Sequence, residues 1–196
     1  MAIEEIKRLI QLDFNKQVAF AYLTCERVLP NYEFFSKNYN FGDPNIMRQS
    51  IDFIYNSFDQ TGSINGQQIE RLLTMVYKNT PNTNDFTTFY ATISMYSGGV
   101  IYESVNLLKK TDIDRILTDI SDMTINAIDC FIQERDDMDY EDIDFETKIL
   151  NDPLMQKEIT LQKGVISYLS NIDTVLLSDI TTLIQFQESN KSTLIL

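Results

Sequence analysis

Hydrophobic residues recur along most of this chain at intervals of three and four, the period of a helix facing a core. Ile3, Ile6, Leu9, Ile10 and Phe14 share one face, and Val18, Ala21, Tyr22, Cys25, Val28 and Leu29 continue the rhythm. Pro30 predicts a stop, with Asn31 as N-cap of a short helix through Tyr39. Phe41-Gly42-Asp43-Pro44 reads as a turn into the next helix. Gly42 can take positive φ, Asp43 can cap, and Pro44 suits the first helical turn. Met47, Ser50, Ile51, Ile54, Tyr55 and Phe58 mark that helix, and Ile69, Leu72, Leu73, Val76 and Tyr77 the one after the polar loop 59–66.

Beyond a second loop containing Pro81, a long helix is expected from Phe86 to about Lys109. Gly98-Gly99 lies in its middle, where each glycine costs ~1 kcal/mol against alanine. The pair therefore predicts a close helix crossing or a kink. Thr111-x-x-Asp114 has the form of a capping box before the stripe Ile113, Ile116, Leu117, Ile120, Met123, Ala127, Ile128 and Phe131. Asp152-Pro153 repeats the cap-then-proline start, and helical patterns resume through Val165, Ile166 and Leu169. Asp173 is the expected cap before Leu176, Ile180, Leu183 and Ile184. No segment alternates strictly, so the expected fold is all-α: one compact multi-helix domain of about eight helices over residues 1–196.

Composition supports a folded core, with 43% hydrophobic and 23% charged residues. Charge narrows the chemistry. The net charge of −13 disfavours nucleic-acid phosphates and anionic membranes as partners and favours a basic protein. The chain has no histidine. That removes Ser-His-Asp and Cys-His catalysis, His-ligated zinc and the Glu-x-x-His pairs of di-iron bundles. No glycine-rich phosphate loop appears, so no cofactor and no metal are expected. The 12 Phe and 10 Tyr, spaced at three and four, read as core.

Cys25 and Cys130 lack the spacing of a zinc knuckle or a redox pair, and read as buried free thiols on helices. A disulfide between them would need an oxidising compartment. The opening MAIEEIKRLIQL mixes charges into its apolar pattern, reading as an amphipathic helix and not an export signal. No apolar run approaches the ~20 residues of a membrane span. The expected location is the cytoplasm.

Cys25-Glu26-Arg27-Val28-Leu29-Pro30-Asn31-Tyr32, then Phe35, then Phe41-Gly42-Asp43, resembles the YjaG-like bacterial family, a domain of unknown function. Weaker similarity continues through Pro153, Glu158 and Gln162 to Glu188-Ser189-Asn190, while the Gly98-Gly99 region and residues 191–196 depart from the pattern. The resemblance implies an all-helical cytoplasmic protein and no established activity. Cys25, Glu26, Arg27, Pro30, Asn31, Tyr32, Gly42 and Asp43 form a polar corner with two readings. One is a small pocket or partner-docking corner. The other is helix capping with an internal Glu-Arg or Arg-Asp bond that fixes a helix angle.

Asp59 to Glu70 imitates a calcium loop at its first and twelfth positions. Ile64 stands where the turn glycine belongs, and Thr61 and Ser63 carry no charge, so an ordinary loop with Asn65 capping the next helix is expected. The sharpest electrostatic feature is Asp136, Asp137, Asp139, Glu141, Asp142, Asp144 and Glu146, interleaved with Tyr140 and Phe145. It reads as a solvated loop, as a docking surface with two aromatic anchors, or as carboxylates for a divalent metal. Glu134-x-x-Asp137 and Glu141-x-x-Asp144 have helical-face spacing for the last.

These features lead to a non-enzymatic interaction module, in concrete form an immunity-type inhibitor that masks a basic toxin or nuclease. The rival is a carboxylate- and Mg²⁺-dependent phosphoanhydride hydrolase. A homodimer through an exposed apolar helix face is a third possibility.

Overall fold

The computed structural model describes residues 3–59 and 65–189. The fold is all-α, with no strand among the described residues. The described residues form nine α-helices in order: α1 (Ile3–Ile10), α2 (Phe14–Tyr39), α3 (Pro44–Asn56), α4 (Gly66–Asn79), α5 (Tyr90–Leu107), α6 (Ile113–Arg135), α7 (Phe145–Asn151), α8 (Pro153–Asn171) and α9 (Leu177–Ser189). The short α7, inside the acidic stretch, is one more helix than the periodicity suggests.

The 18-residue α5 is central, packed against α2, α3, α4 and α6. Its two glycines explain how. A Cβ on Gly98 would stand 2.3 Å from Thr80 Oγ1, and one on Gly99 2.6 Å from Met123 Sδ. A side chain at either point would force Thr80 or Met123 to shift, so the pair serves close crossings with α4's end and with α6. Around α5, one apolar core runs from Ile6 and Leu9 of α1 to Ile180 and Leu183 of α9.

Pro30 does not stop its helix. α2 runs through it for 26 residues. The proline removes one backbone donor, at ~3 kcal/mol in a helix interior. Val28, Leu29, Tyr32 and Phe35 around it are all buried. Burial of each large side chain contributes roughly 1.5–3 kcal/mol, so packing outweighs the lost bond. Asn31 is accordingly a buried mid-helix residue and not an N-cap.

Other boundaries move for local reasons. α1 ends at Ile10, and Asp13 in extended conformation opens α2, so Phe14 starts a new helix. α5 begins at Tyr90 and not at Phe86, because Phe86 is held in an aromatic cluster, its ring centroid 5.0 Å from Phe35 and 5.4 Å from Phe41. The capping box does not form. Asp112, at φ 50°, takes the N-cap position of α6, and its side chain makes no cap bond. Asp173 does not cap α9; Asp179 instead accepts the Leu176 N–H at 2.8 Å. Asp43, Asn65 and Asp152 do cap α3, α4 and α8, with Pro44 and Pro153 in the first turns. Gly42 has φ +69°.

Candidate functional site

Three corner residues of α2, Glu26, Arg27 and Tyr32, point along separate directions and each ties α2 to another helix. Glu26 accepts two hydrogen bonds from Arg48 of α3, both 2.7 Å. Arg48 is held further above its ordinary pKa by that bond, and burial together with Glu26 raises Tyr22 well above the phenol range. Arg27 turns inward and donates from Nη2 to Glu158 of α8 at 2.6 Å, with 1% and 2% of the two side chains exposed.

That ion pair sits in a chain of polar groups. Gln162 Nε2 donates to Glu158 Oε1 at 2.7 Å, and Ser121 Oγ of α6 donates to Gln162 Oε1 at 2.8 Å. Gln187 of α9, with its amide oxygen toward Arg27, accepts from Nη1 at 3.1 Å and donates to the Leu23 carbonyl at 3.2 Å. Four helices thus meet at one buried guanidinium.

Tyr32 serves the other end of the corner. Its hydroxyl donates to the Asn79 carbonyl at 2.6 Å, and Asn79 Oδ1 accepts from the Asp43 N–H at 2.9 Å. Asp43 Oδ1 in turn accepts the Asn45 N–H at 2.9 Å. Burial pushes the Tyr32 hydroxyl up to about 12. The geometry is that of capping and inter-helix bonding. The partners Arg48, Asn79, Ser121, Glu158, Gln162 and Gln187 complete it, and only Glu158 and Gln162 stood out in the sequence.

Both cysteines are free thiols, Cys25 buried and Cys130 half-buried. Burial pushes Cys25 up to about 12 and also raises Cys130. Only the thiolate attacks an aromatic disulfide reagent. At pH 8 the native protein is expected to release the chromophore of one thiol, slowly, with the second appearing only in denaturant. Mass mapping of the label should find Cys130. Two prompt equivalents would contradict this placement.

The acidic segment begins where α6 ends. Asp136 takes the C-cap position, and Asp137 turns the chain at φ 46°. Arg135 donates to Asp136 and Asp152, each at 2.6 Å. Asp139 Oδ1 accepts the Glu141 N–H and Asp142 Oδ1 the Asp144 N–H, both at 2.9 Å. Lys148 pairs with Asp142. Hydrogen bonds from Arg135 and Lys148 hold Asp136 and Asp142 below the usual carboxylate range. Glu134/Asp137 and Glu141/Asp144 do not share helical faces, because α6 stops at Arg135 and α7 starts at Phe145.

Two hollows adjoin here and share Asp137 and Met138. One, about 420 Å³, is also lined by Ile132, Asp136, Asp139, Asp142 and Lys148. The other, about 480 Å³, is also lined by Phe89, Thr92, Cys130, Gln133 and Glu134. Asp137 and Asp139 are exposed in their lining, and Glu141, Asp144 and Glu146 are exposed on the segment that follows. Met138 and Phe145 pack against the core, while Tyr140 and Ile143 stand 80% and 97% exposed. The apolar projections are thus Tyr140 and Ile143, not Phe145. Among the described residues no three Asp, Glu or Cys side chains converge as a metal site. Thr61, Ser63 and Ile64 of the calcium-like loop lie outside the described residues.

Fold and site together define an all-α protein whose inward polar groups join helices and whose outward carboxylates gather at one end of α6. Residues 4–194 match the model of DUF416, a protein of unknown function, and the chain belongs to that family. A crystal structure of a DUF416 family protein from Shewanella baltica OS155 is similar at a TM-score of 0.83 and 22% identity, covering 94% of this chain and 93% of that one. At that identity the likeness carries the fold alone. No curated protein matches the chain. Among the described residues, no helix is long and apolar enough to cross a membrane.

Proposed function

We propose that this chain is a non-enzymatic interaction module, narrower than the family assignment, and that it docks a basic protein at the acidic end of α6. The immunity-type inhibitor of a basic toxin or nuclease is the concrete form of this reading, and a cytoplasmic site of action goes with it. We also keep the YjaG-like assignment of the Cys25–Asp43 motif as our reading. The observation that carries the docking proposal is the pair of adjoining hollows. They combine exposed carboxylates with Met138 and Phe89 as apolar lining, and the segment that carries Asp139 and Asp142 also carries the exposed Tyr140 and Ile143.

Such a surface suits the long side chains of Lys and Arg, whose apolar stems pack while their charged ends meet carboxylates. The negative end of the 23-residue α6 adds to the same field. Complementary charge of this kind speeds encounter and selects partners. The hydrolase reading asks for carboxylates converging on a cation, and the spread of Asp136, Asp137, Asp139 and Asp142 around an open surface favours docking over it.

The test is co-expression with the products of neighbouring genes and capture at low and high salt. A basic protein should co-purify at low salt and be lost as salt rises. The variant Asp137→Lys/Asp139→Lys should lose it at low salt, with its helical content unchanged. Retention of the partner by that variant would move the interface elsewhere. Capture of no partner at low salt would remove the proposal's main support.

A further inference from the structure

A second feature of the Arg27 hub is independent of the docking surface. Arg27 and Asn31 lie one helical turn apart on α2, so their side chains are neighbours. Arg27 Nε and both amide atoms of Asn31 are buried, and none has a hydrogen-bond partner among the described residues. Both residues are only 4% exposed. Pro30 lies in the same turn and has no N–H, which leaves the Glu26 carbonyl without its helical donor.

Donors and acceptors are therefore gathered within one turn: a charged N–H, an amide NH₂, an amide oxygen and a backbone carbonyl. Buried polar groups in native proteins nearly always find a partner. Glu158 already offsets the charge of Arg27, so an ion has little to gain there. A mixed set of donors and acceptors suits a molecule that both donates and accepts. We propose that the turn Arg27–Asn31 is an internal hydration site, with water accepting from Arg27 Nε and donating to Asn31 Oδ1. Buried waters characteristically make two to four such bonds. Gln187 of α9 closes the hub from its side through its bonds to Arg27 Nη1 and Leu23.

The site gives the motif's Arg27 and Asn31 a shared task. A crystal structure at high resolution tests it directly. Ordered solvent density within hydrogen-bond distance of both Arg27 Nε and the Asn31 amide is expected. Protein atoms in that position, a dry contact, or an anomalous peak after bromide soaking would each overturn it.

The variant Asn31→Leu adds a reading of opposite sign. If water bridges the groups, leucine displaces it, strands Arg27 Nε and lowers the thermal midpoint. If Asn31 is unpartnered, leucine of similar volume removes two buried polar atoms and the midpoint stays level or rises. Should Asn31→Leu fail to fold, the wild-type density decides.

Discussion

Replacing Glu158 with alanine is expected to destabilise the protein by about 3–5 kcal/mol, the cost of stranding one member of a buried ion pair. For a chain of this length that is a fall in thermal midpoint of roughly 6–20 °C. The reason is asymmetric. The Arg27 guanidinium is held at 1% side-chain exposure. Without Glu158 the buried guanidinium is left with no carboxylate partner. Gln162 loses its acceptor at the same time, and with it the anchored amide that Ser121 reaches.

The double variant Arg27→Met/Glu158→Leu should recover most of that loss. Replacing both buried charges with apolar groups removes two desolvation penalties along with the attraction. An exposed pair provides the scale: disrupting Arg115–Glu103 should cost under ~1 kcal/mol, because Arg115 is half exposed and solvent screens the attraction. Urea denaturation of the four proteins separates these cases. A loss below 1 kcal/mol for Glu158→Ala would mean the guanidinium reaches water when its partner is gone.

The same hub shows how far the sequence was legible. Period and caps carried the all-α class, because Asp43-Pro44, Asn65 and Asp152-Pro153 are local devices whose partners lie within three residues. Gly98-Gly99 was legible as an anomaly, since glycine mid-helix asks for a packing reason; its contacts, Thr80 and Met123, come from other helices. Pro30 misled because the local rule against interior proline is sound, but the apolar side chains on both sides of it outweigh it. The corner motif was visible as a cluster of unlike residues and readable as capping with an internal Glu-Arg or Arg-Asp bond, yet the helices it bonds to were not. Arg27 and Glu158 are separated by 131 positions, and no spacing rule joins them. The acidic segment was visible by composition, and its turns were not, because Asp139 and Asp142 are folded by bonds to the N–H two residues on.

Gly42→Ala should be the most damaging single-methyl change in the motif, costing about 2–4 kcal/mol when strain and a displaced hydrogen bond are combined. Two separate penalties coincide there. With φ at +69°, an L side chain is strained whatever space surrounds it. The space is also taken, because the new Cβ would lie 2.1 Å from the Tyr32 hydroxyl and 3.0 Å from the Asn79 carbonyl. Tyr32 would have to leave the carbonyl it binds at 2.6 Å, and its buried ring leaves little room to move. A cycle with Tyr32→Phe divides the cost. Phenylalanine alone should lose about 1 kcal/mol for the missing hydrogen bond. Combined with Gly42→Ala it should lose less than the sum, because the oxygen that clashed is gone. What remains is the backbone strain, the contact with Asn79 and that with the ring carbon Cζ at 3.2 Å. Strict additivity of the two changes would mean that Tyr32 and Gly42 do not share that space, and that the ten-residue interval between them in the motif reflects something other than their contact.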